Sequence, residues 1–291
     1  MTSTEWMTVF ADGTGGGNPC PVVFDFAGPT EQMQAMAAGF GVETVFVLPA
    51  TGEADAELRY FVPRHEMEMC VHATIAAVTL LFESGACAGR QARVATALGV
   101  LDVDWDPDAA RAVVAQFPAV FGEPVAGEAR RRVLQALAIG ADRQTGEIVA
   151  VSTARPKLMV PLIDEATLDG LQPDFELLWR LCDELGVTGL YPFARLDGAA
   201  GTAQVAARQF PSRTGYPEDP ATGVAACALG AYLTAASAQV GWQSWRIAQG
   251  RALGRPSLIT AEARRTSGGA IAQSRVGGQA RRLRPDESRT I

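Results

Sequence analysis

Apolar and polar positions along this chain form a pattern that occurs twice. Residues 73–84 and 223–236 are apolar segments of helical length, and the first carries no charge before Glu83. A helix that is apolar on all its faces has to be enclosed by other elements. Segments with strand character flank both, such as residues 43–48 and 190–194. The pattern therefore predicts two buried helices, each surrounded by strands.

The order of predicted elements in the second half repeats the order in the first. Pro220 and Thr222 fall where Cys70 and His72 fall, just before the buried helix. Repetition of one structural unit indicates an internal duplication. We therefore predict an α+β fold of two pseudo-symmetric domains, residues 1–120 and 121–275, each a strand barrel wrapped around a central buried helix. A strand near residues 276–285 is a candidate to complete the first domain.

Composition and charge exclude several classes of partner. The chain has 291 residues, a net charge of −7 and a pI of about 5.0. Nucleic acids and anionic membranes both require clustered positive charge, so neither is an expected partner. No apolar stretch reaches the roughly 20 residues of a membrane span. The five cysteines are scattered and form no CxxC pair, which favours reduced thiols and a cytoplasmic location.

Two polar segments lie immediately before the buried helices, at residues 61–74 and 215–223. The first turn of a helix has free N–H groups with partial positive charge, so it can bind an anion. Two such helix ends in duplicated halves can face one cleft. We expect a small acidic metabolite between them, with His72 and Asp219 beside it.

The same segments resemble the signature of the PhzF-like family of phenazine biosynthesis. The clearest motif is Glu218-Asp-Pro-Ala-Thr-Gly223, preceded by Arg208-Gln-Phe-Pro211. Further family landmarks occur in order along almost the whole chain, at residues 17–20, 42–44, 66–74, 159–162 and 249–257. The resemblance implies the fold of diaminopimelate epimerase, a homodimer and a cofactor-independent isomerase.

The resemblance also implies a role for individual residues. Glu43 corresponds to the family's acid–base residue, with His72 and Asp219 as catalytic partners. The substrate-binding positions that it implies are Asn18, Cys70, Val71, Ala73, Thr74, Thr222, Gly223 and Val224. Thr188 falls near the position of Glu43 in the second half, so one half alone supplies this carboxylate. Burial would raise the pKa of Glu43 toward neutrality, as a proton carrier requires.

Cofactor and metal motifs are incomplete in this chain. There is no GxxxxGK motif, and the glycine-rich segment 13–18 lacks the last glycine of a dinucleotide fingerprint. Two histidines are few for a zinc site, and Lys157, the only lysine, lies in an apolar strand-like segment. We therefore expect neither a metal nor a cofactor.

Three positions depart from family members with the phenazine activity. Val42, Val71 and Val224 stand where those members usually have Ser, Gly and Ser. These changes remove hydroxyl groups or fill space, so they predict a different substrate or a site that binds without turnover. A thiol-dependent racemase is a third alternative. It needs two facing thiols, and the counterpart of Cys70 in the repeat is Pro220.

Overall fold

Strands predominate over helices in the computed structural model, which describes residues 2–50, 52–197, 203–283 and 287. The first part of the chain contains, in order, β1 (Ser3–Val9), β2 (Asn18–Phe24), α1 (Thr30–Phe40), β3 (Thr44–Leu48), β4 (Ala56–Phe61), β5 (Glu66–Met67), α2 (Val71–Glu83), β6 (Gln91–Thr96), β7 (Gly99–Asp106) and β8 (Arg111–Ala115). The second part contains β9 (Val120–Pro124), α3 (Gly127–Ala136), β10 (Val149–Ser152), β11 (Lys157–Leu162), α4 (Glu165–Asp169), α5 (Phe175–Leu185), β12 (Gly189–Arg195), β13 (Val205–Ala207), β14 (Phe210–Pro211), α6 (Gly223–Ala235), β15 (Gly241–Gln249), β16 (Ser257–Arg265) and β17 (Ile271–Arg282). This composition of elements is the predicted α+β class.

A closed ring of strands surrounds α2. The strands follow one another in the order β1, β2, β3, β4, β6, β7, β8 and β17, and β17 pairs back with β1. Two of the pairings, β2 with β3 and β4 with β6, are parallel. Residues 71–81 of α2 are all buried inside this ring. The enclosure explains why the helix has no polar face, and it confirms the predicted central helix.

The second half repeats this arrangement around α6. Its strands run β10, β11, β12, β13, β15, β16 and β17, with parallel pairings at the equivalent places, β11 with β12 and β13 with β15. Alanine and glycine dominate α6, and the helix packs mainly against β16 and β17. A Cβ atom on Gly230 would lie 2.9 Å from the Cβ atom of Ala261 in β16. Small side chains therefore let this strand approach the helix closely.

Two strands pass from one half into the other. β17 pairs with β16 through residues 271–277, with β8 through residues 275–279, and with β1 through residues 280–282. In the opposite direction, β8 leads into β9, which pairs with β10. The connecting residues continue the ladder, since Gln116 N donates to Ser274 O and Phe117 N donates to Thr153 O. β17 thus closes the first ring, and the segment after β8 continues into the sheet of the second half.

The proposed division into residues 1–120 and 121–275 stays a prediction. The hydrogen-bond pattern supports the candidate closing strand at residues 276–283, and residues 284 and 285 lie outside the described part of the chain. No helix in the described ranges is both long enough and apolar enough to cross a membrane.

The packing around α2 leads to a first testable expectation. Ile75 has no exposed surface, so Ile75→Val should remove a buried methyl group and lower the free energy of unfolding by about 0.5–1.5 kcal/mol. Ile163 is 45% exposed, so the same change there should stay within about 0.5 kcal/mol. Urea denaturation of both variants measures the difference. Equal losses at the two positions would contradict the enclosed position of α2.

Candidate active site

A small cavity of about 30 Å³ lies where the N-terminal ends of α2 and α6 meet. The two helix ends are in contact, because a Cβ atom on Gly223 would lie 2.5 Å from Val71 Cγ1. Both halves of the chain contribute to the wall of this cavity. The lining residues are Glu43, Met69, Cys70, Val71, His72, Arg155, Lys157, Thr188, Gln209, Pro211, Thr214, Tyr216, Asp219, Thr222, Gly223 and Val224.

Glu43 presents its carboxyl group to this cavity from the residue before β3. Its side chain is only 12% exposed, and Oε2 lies 3.3 Å from Nε2 of His72. Burial raises the pKa of Glu43, while the charge of Arg155 and a hydrogen bond from Tyr216 act in the opposite direction. A raised pKa brings a carboxyl group closer to the pH at which it can both accept and return a proton.

His72 is the second residue of α2, and its ring is buried between two other polar groups. Nδ1 lies 3.2 Å from Sγ of Cys70. Nε2 faces Glu43 without hydrogen-bond geometry, and it has no hydrogen-bond partner within the described ranges. Burial lowers the pKa of His72 to about 4, partly offset by the charge of Asp219. The ring is therefore neutral at pH 7 and has one nitrogen free toward the cavity.

Asp219 is fixed by donors from both halves of the chain. Asn18 Nδ2 in β2 donates to Asp219 Oδ1 at 2.6 Å, and the hydroxyl group of Thr222 donates to Oδ2. Gln249 Nε2 donates to the main-chain oxygen of Asp219 at 2.7 Å. Burial raises the pKa of Asp219 to about 7, and the nearby charge of Glu43 adds to this shift. These hydrogen bonds hold the Asp219 side chain in one orientation near the N-terminal end of α6.

The other implied binding residues divide between the cavity and its surroundings. Cys70, Val71, Thr222, Gly223 and Val224 line the cavity. Asn18 and Val42 line an adjoining space of about 260 Å³, which also reaches Glu43, Tyr216 and Asp219.

Ala73 and Thr74 lie outside the wall of the cavity. Thr74 Oγ1 donates to Cys70 O at 2.8 Å and also contacts the hydroxyl group of Tyr60. The Thr74 N–H group bonds to Cys70 O within the helix. It is therefore not one of the N–H groups without a partner inside the helix, which belong to Val71, His72 and Ala73. Of these, the Ala73 N–H group interacts with the Cys70 thiol.

The counterpart of Cys70 in the second half is Thr222 and not Pro220. Cys70 is the residue that precedes α2, and Thr222 is the residue that precedes α6. The sequence alignment of the two halves, which placed Pro220 opposite Cys70, is wrong by two residues. Apolar periodicity alone does not determine where a helix begins. Threonine supplies no thiol, and Cys70 is the only cysteine among the described residues that line the cavity. Burial and the charge of Glu43 raise the pKa of Cys70 well above its ordinary value, which keeps this thiol protonated.

The cavity residues that the sequence did not identify as site residues include Arg155, Lys157, Gln209 and Tyr216. The apolar segment around Lys157 predicts a buried position, and Lys157 is buried in β11 with Nζ donating to Thr188 O at 3.1 Å. Burial lowers the pKa of Lys157 to about 7, with a further lowering from the charge of Arg155. An isolated lysine inside an apolar run is the sequence signal that could have identified it.

Glu43, Cys70 and His72 also form a group that can hold a metal ion. One oxygen, one sulfur and one ring nitrogen lie within 4.8 Å of one another. The low histidine count did not anticipate this group, since a single histidine takes part in it. Glu43, the expected acid–base residue, is itself one of the three.

The titration of His72 gives a pH-dependent expectation. In the unfolded chain its pKa is near 6.5, and in the folded protein it is about 4. Between these values the unfolded state binds a proton that the folded state does not, so stability falls as the pH falls from about 6.5 to 4. His72→Gln removes this titration, and the wild-type protein should therefore lose stability relative to the variant across that window.

Urea denaturation at several pH values between 7 and 4.5 measures this difference. The raised pKa of Asp219 acts in the opposite sense, stabilising the fold as the pH falls from about 7 toward 3.8. Because Asp219 is present in both proteins, its contribution largely cancels in the comparison. A difference that stays constant with pH would contradict a buried neutral His72.

Comparison with known proteins now identifies the family. The model of the phenazine biosynthesis-like proteins, PhzC-PhzF, matches residues 7–284. A Deinococcus radiodurans protein named as an uncharacterized isomerase is 33% identical to this chain. The alignment covers 96% of this chain and 92% of that protein. A PhzF family protein of Bacillus anthracis is similar in structure, with a TM-score of 0.85, 22% identity and 98% of each chain covered. A predicted epimerase of Pseudomonas aeruginosa has a TM-score of 0.78 and 25% identity, covering 97% of this chain and 96% of its own. The chain belongs to the phenazine biosynthesis-like PhzC-PhzF family, and it is an isomerase.

Proposed function

We propose that this protein is a cofactor-independent isomerase that shifts a proton within a small carboxylate-bearing substrate, with Glu43 as its acid–base group. The observation that carries the proposal is the location of Glu43. Its carboxyl group enters the cavity at the point where the N-terminal ends of two buried helices meet.

The helix ends supply a site for the substrate carboxylate. The first hydrogen bonds inside the helices run from Thr74 N to Cys70 O and from Ala226 N to Thr222 O. Of the N–H groups before these donors, that of Thr222 donates to Gln249 Oε1 and that of Ala73 interacts with the Cys70 thiol. The remaining N–H groups of the two first turns have no partner inside the helices and can bind an anion. When a proton leaves the carbon beside a carboxylate, negative charge develops on the carboxylate oxygens. Two positive helix ends stabilise that charge in the transition state.

Glu43 is the group that moves the proton in this proposal. Thr188 lines the cavity from the second half at the place that corresponds to Glu43, and threonine is not a base at neutral pH. A single carboxylate that removes a proton from one carbon can return it to another carbon on the same face. Both oxygens of Asp219 accept hydrogen bonds from Asn18 and Thr222, which suits an orienting role.

The substrate needs more room than the cavity has. A volume of about 30 Å³ corresponds to roughly one water molecule. The adjoining space of about 260 Å³ shares Glu43, Tyr216 and Asp219 with it. We propose that the substrate enters from that space and that the two helix ends separate to admit it. From the resemblance and the cysteine pattern we further propose a homodimer in the cytoplasm that acts on a small acidic metabolite.

The test is a screen of small unsaturated and amino-substituted carboxylates in deuterated water. Mass spectrometry and NMR would follow deuterium incorporation and product formation. We expect at least one compound to be converted to an isomer with deuterium at the carbon that receives the proton. A carboxylate that binds in the cavity but gives neither product nor deuterium uptake would instead indicate a metabolite-binding protein.

A further inference from the structure

Lys157 is the only lysine of the chain, and it lies inside the cavity with unused hydrogen-bonding capacity. Its side chain is 4% exposed, and Nζ donates one hydrogen bond, to Thr188 O. An ammonium group has three donors. Within the described ranges, no carboxylate lies within 4.0 Å of Nζ. Asp219 and Glu43 act on the Lys157 charge only from beyond this distance. A buried ammonium group without an anion in contact is costly, so this position indicates that an anion can bind here.

Gln209 adds an unpartnered amide group at the same place. It has no exposed surface, and neither Nε2 nor Oε1 has a hydrogen-bond partner among the described residues. Its Nε2 lies against the backbone of Gly189, because a Cβ atom on that glycine would be 2.3 Å away. Gly189 directly follows Thr188, whose carbonyl group binds Lys157. The amide of Gln209 and the ammonium of Lys157 therefore flank one short segment of the wall.

Arg155 contributes a second positive charge to this wall. Its guanidinium Nε lies 3.4 Å from Oε2 of Glu68, whose side chain is 57% exposed, and Nη1 contacts the sulfur of Met67. Its charge lowers the pKa of both Lys157 and Glu43, which shows that it acts on the cavity. The Glu68 charge is partly screened by solvent, so it offsets Arg155 only in part.

We propose that Lys157, Arg155 and Gln209 form a second anion subsite, so that the substrate is a dicarboxylate. This inference rests on the proposed function, in which the ends of α2 and α6 hold the first carboxylate. The second carboxylate binds the Lys157 ammonium and the Gln209 amide, with Arg155 adding to the positive field. The substrate then lies between these two subsites, and Glu43 and His72 face its middle. Lys157 is a substrate-binding residue in this arrangement and carries no proton in the reaction.

The first test compares dicarboxylates with their monoamides, which have nearly the same shape and one charge less. The probes are malonate, succinate and glutarate against malonamate, succinamate and glutaramate, titrated by calorimetry at pH 6.5. We expect at least one dicarboxylate to bind at least about tenfold more tightly than its monoamide, as one charge-assisted hydrogen bond provides. In Lys157→Met this preference should fall below about threefold, with monoamide affinity unchanged.

Two control variants separate the subsite from net charge. Arg90 is 66% exposed in its side chain, so Arg90→Met removes the same charge at the surface and should leave the preference intact. Lys157→Arg keeps the charge and should retain part of the preference. The proposal is overturned if no dicarboxylate is preferred by the wild-type protein, or if the preference survives in Lys157→Met.

A second measurement uses the wild-type protein and does not depend on a variant that folds. The pKa of Lys157 is about 7, so at pH 7 both the ammonium form, which binds the anion, and the reactive amine are present. Acetic anhydride at this pH should acetylate Lys157, and mass spectrometry can follow this single lysine against the α-amino group of the chain. We expect the preferred dicarboxylate to slow acetylation of Lys157 at least about fivefold, in proportion to the occupied fraction of the site, while its monoamide at equal concentration has little effect. Equal protection by the two probes would overturn the proposal.

The same experiments distinguish this proposal from the proposed reaction. Glu43→Gln should keep the dicarboxylate preference while losing deuterium exchange. If wild-type protein shows the preference but no screened dicarboxylate exchanges deuterium or isomerises, the subsite stands and the proposed reaction fails. If Lys157→Met abolishes exchange on a bound substrate while the binding preference is unchanged, Lys157 is a proton carrier and the subsite assignment is wrong.

Discussion

Replacing Glu43 by glutamine should abolish most turnover while leaving ligand binding nearly intact. Glutamine keeps the size and shape of the side chain but has no basic carboxylate oxygen. General acid–base groups contribute about 10²- to 10⁴-fold to a rate, so we expect a loss of at least about 10²-fold. An interaction that is required only in the transition state lowers kcat and kcat/KM together. Deuterium exchange on the substrate found in the screen measures this loss, and calorimetry measures the retained affinity.

The matched control is Glu53→Gln, which makes the same change at a side chain that is 87% exposed. Its turnover should equal that of the wild-type protein. Near-normal exchange by Glu43→Gln would remove Glu43 from the mechanism. Asp219 would then be the carboxylate to test, because burial raises its pKa to about 7 in the same cavity.

The second large effect concerns Arg208 and Glu218, which brace the segment that carries Asp219. Arg208 Nε and Nη2 bind the two oxygens of Glu218 at 2.9 and 2.7 Å, and both side chains are largely buried. Arg208 Nη1 also donates to the main-chain oxygens of Leu168 and Leu171 at the end of α4. Breaking a buried pair by removing one partner leaves a buried charge, which costs about 3–5 kcal/mol. We expect that loss of unfolding free energy for Arg208→Met, measured in urea.

An exposed pair on the same half provides the comparison. Arg213 and Asp183 are 2.8 Å apart with both side chains more than half exposed, so Arg213→Met should cost about 1 kcal/mol or less. The double variant Arg208→Met with Glu218→Leu should recover part of the loss, because no unpaired carboxylate remains. If Arg208→Met is no more costly than Arg213→Met, the pair does not brace the segment of Asp219.

The buried helices and the polar residues at their ends were predictable from the sequence. Uniform apolar character predicts a fully enclosed helix, and the structure buries residues 71–81 of α2 as expected. The signature residues come to one cavity because Glu43 directly precedes β3, His72 lies in the first turn of α2, and Asp219 lies in the segment that leads into α6. Local pattern and motif were sufficient for these features.

Other parts of the site depend on contacts between distant residues, and local pattern does not record them. Lys157 is polar but sits in an apolar strand, so its segment resembles core until the fold brings Thr188 and Gln209 beside it. Asn18 and Asp219 are 201 residues apart in sequence, yet they share a hydrogen bond. The sequence paired Cys70 with Pro220 instead of Thr222 for a similar reason. Contacts of residues 218–222 determine where α6 begins, and the apolar periodicity of the helix does not.

The passage of β17 into the first barrel has a consequence for how the protein is made. β17 fills the gap between β8 and β1, so the ring of strands around α2 can close only when β17 has left the ribosome. Every other strand of that ring belongs to the first part of the chain. At synthesis rates of about 5–20 residues per second, the wait is on the order of ten seconds or more. Throughout this interval α2 has an incomplete enclosure and an apolar surface on every side. The protein therefore completes its folding only after nearly all of it has been synthesised.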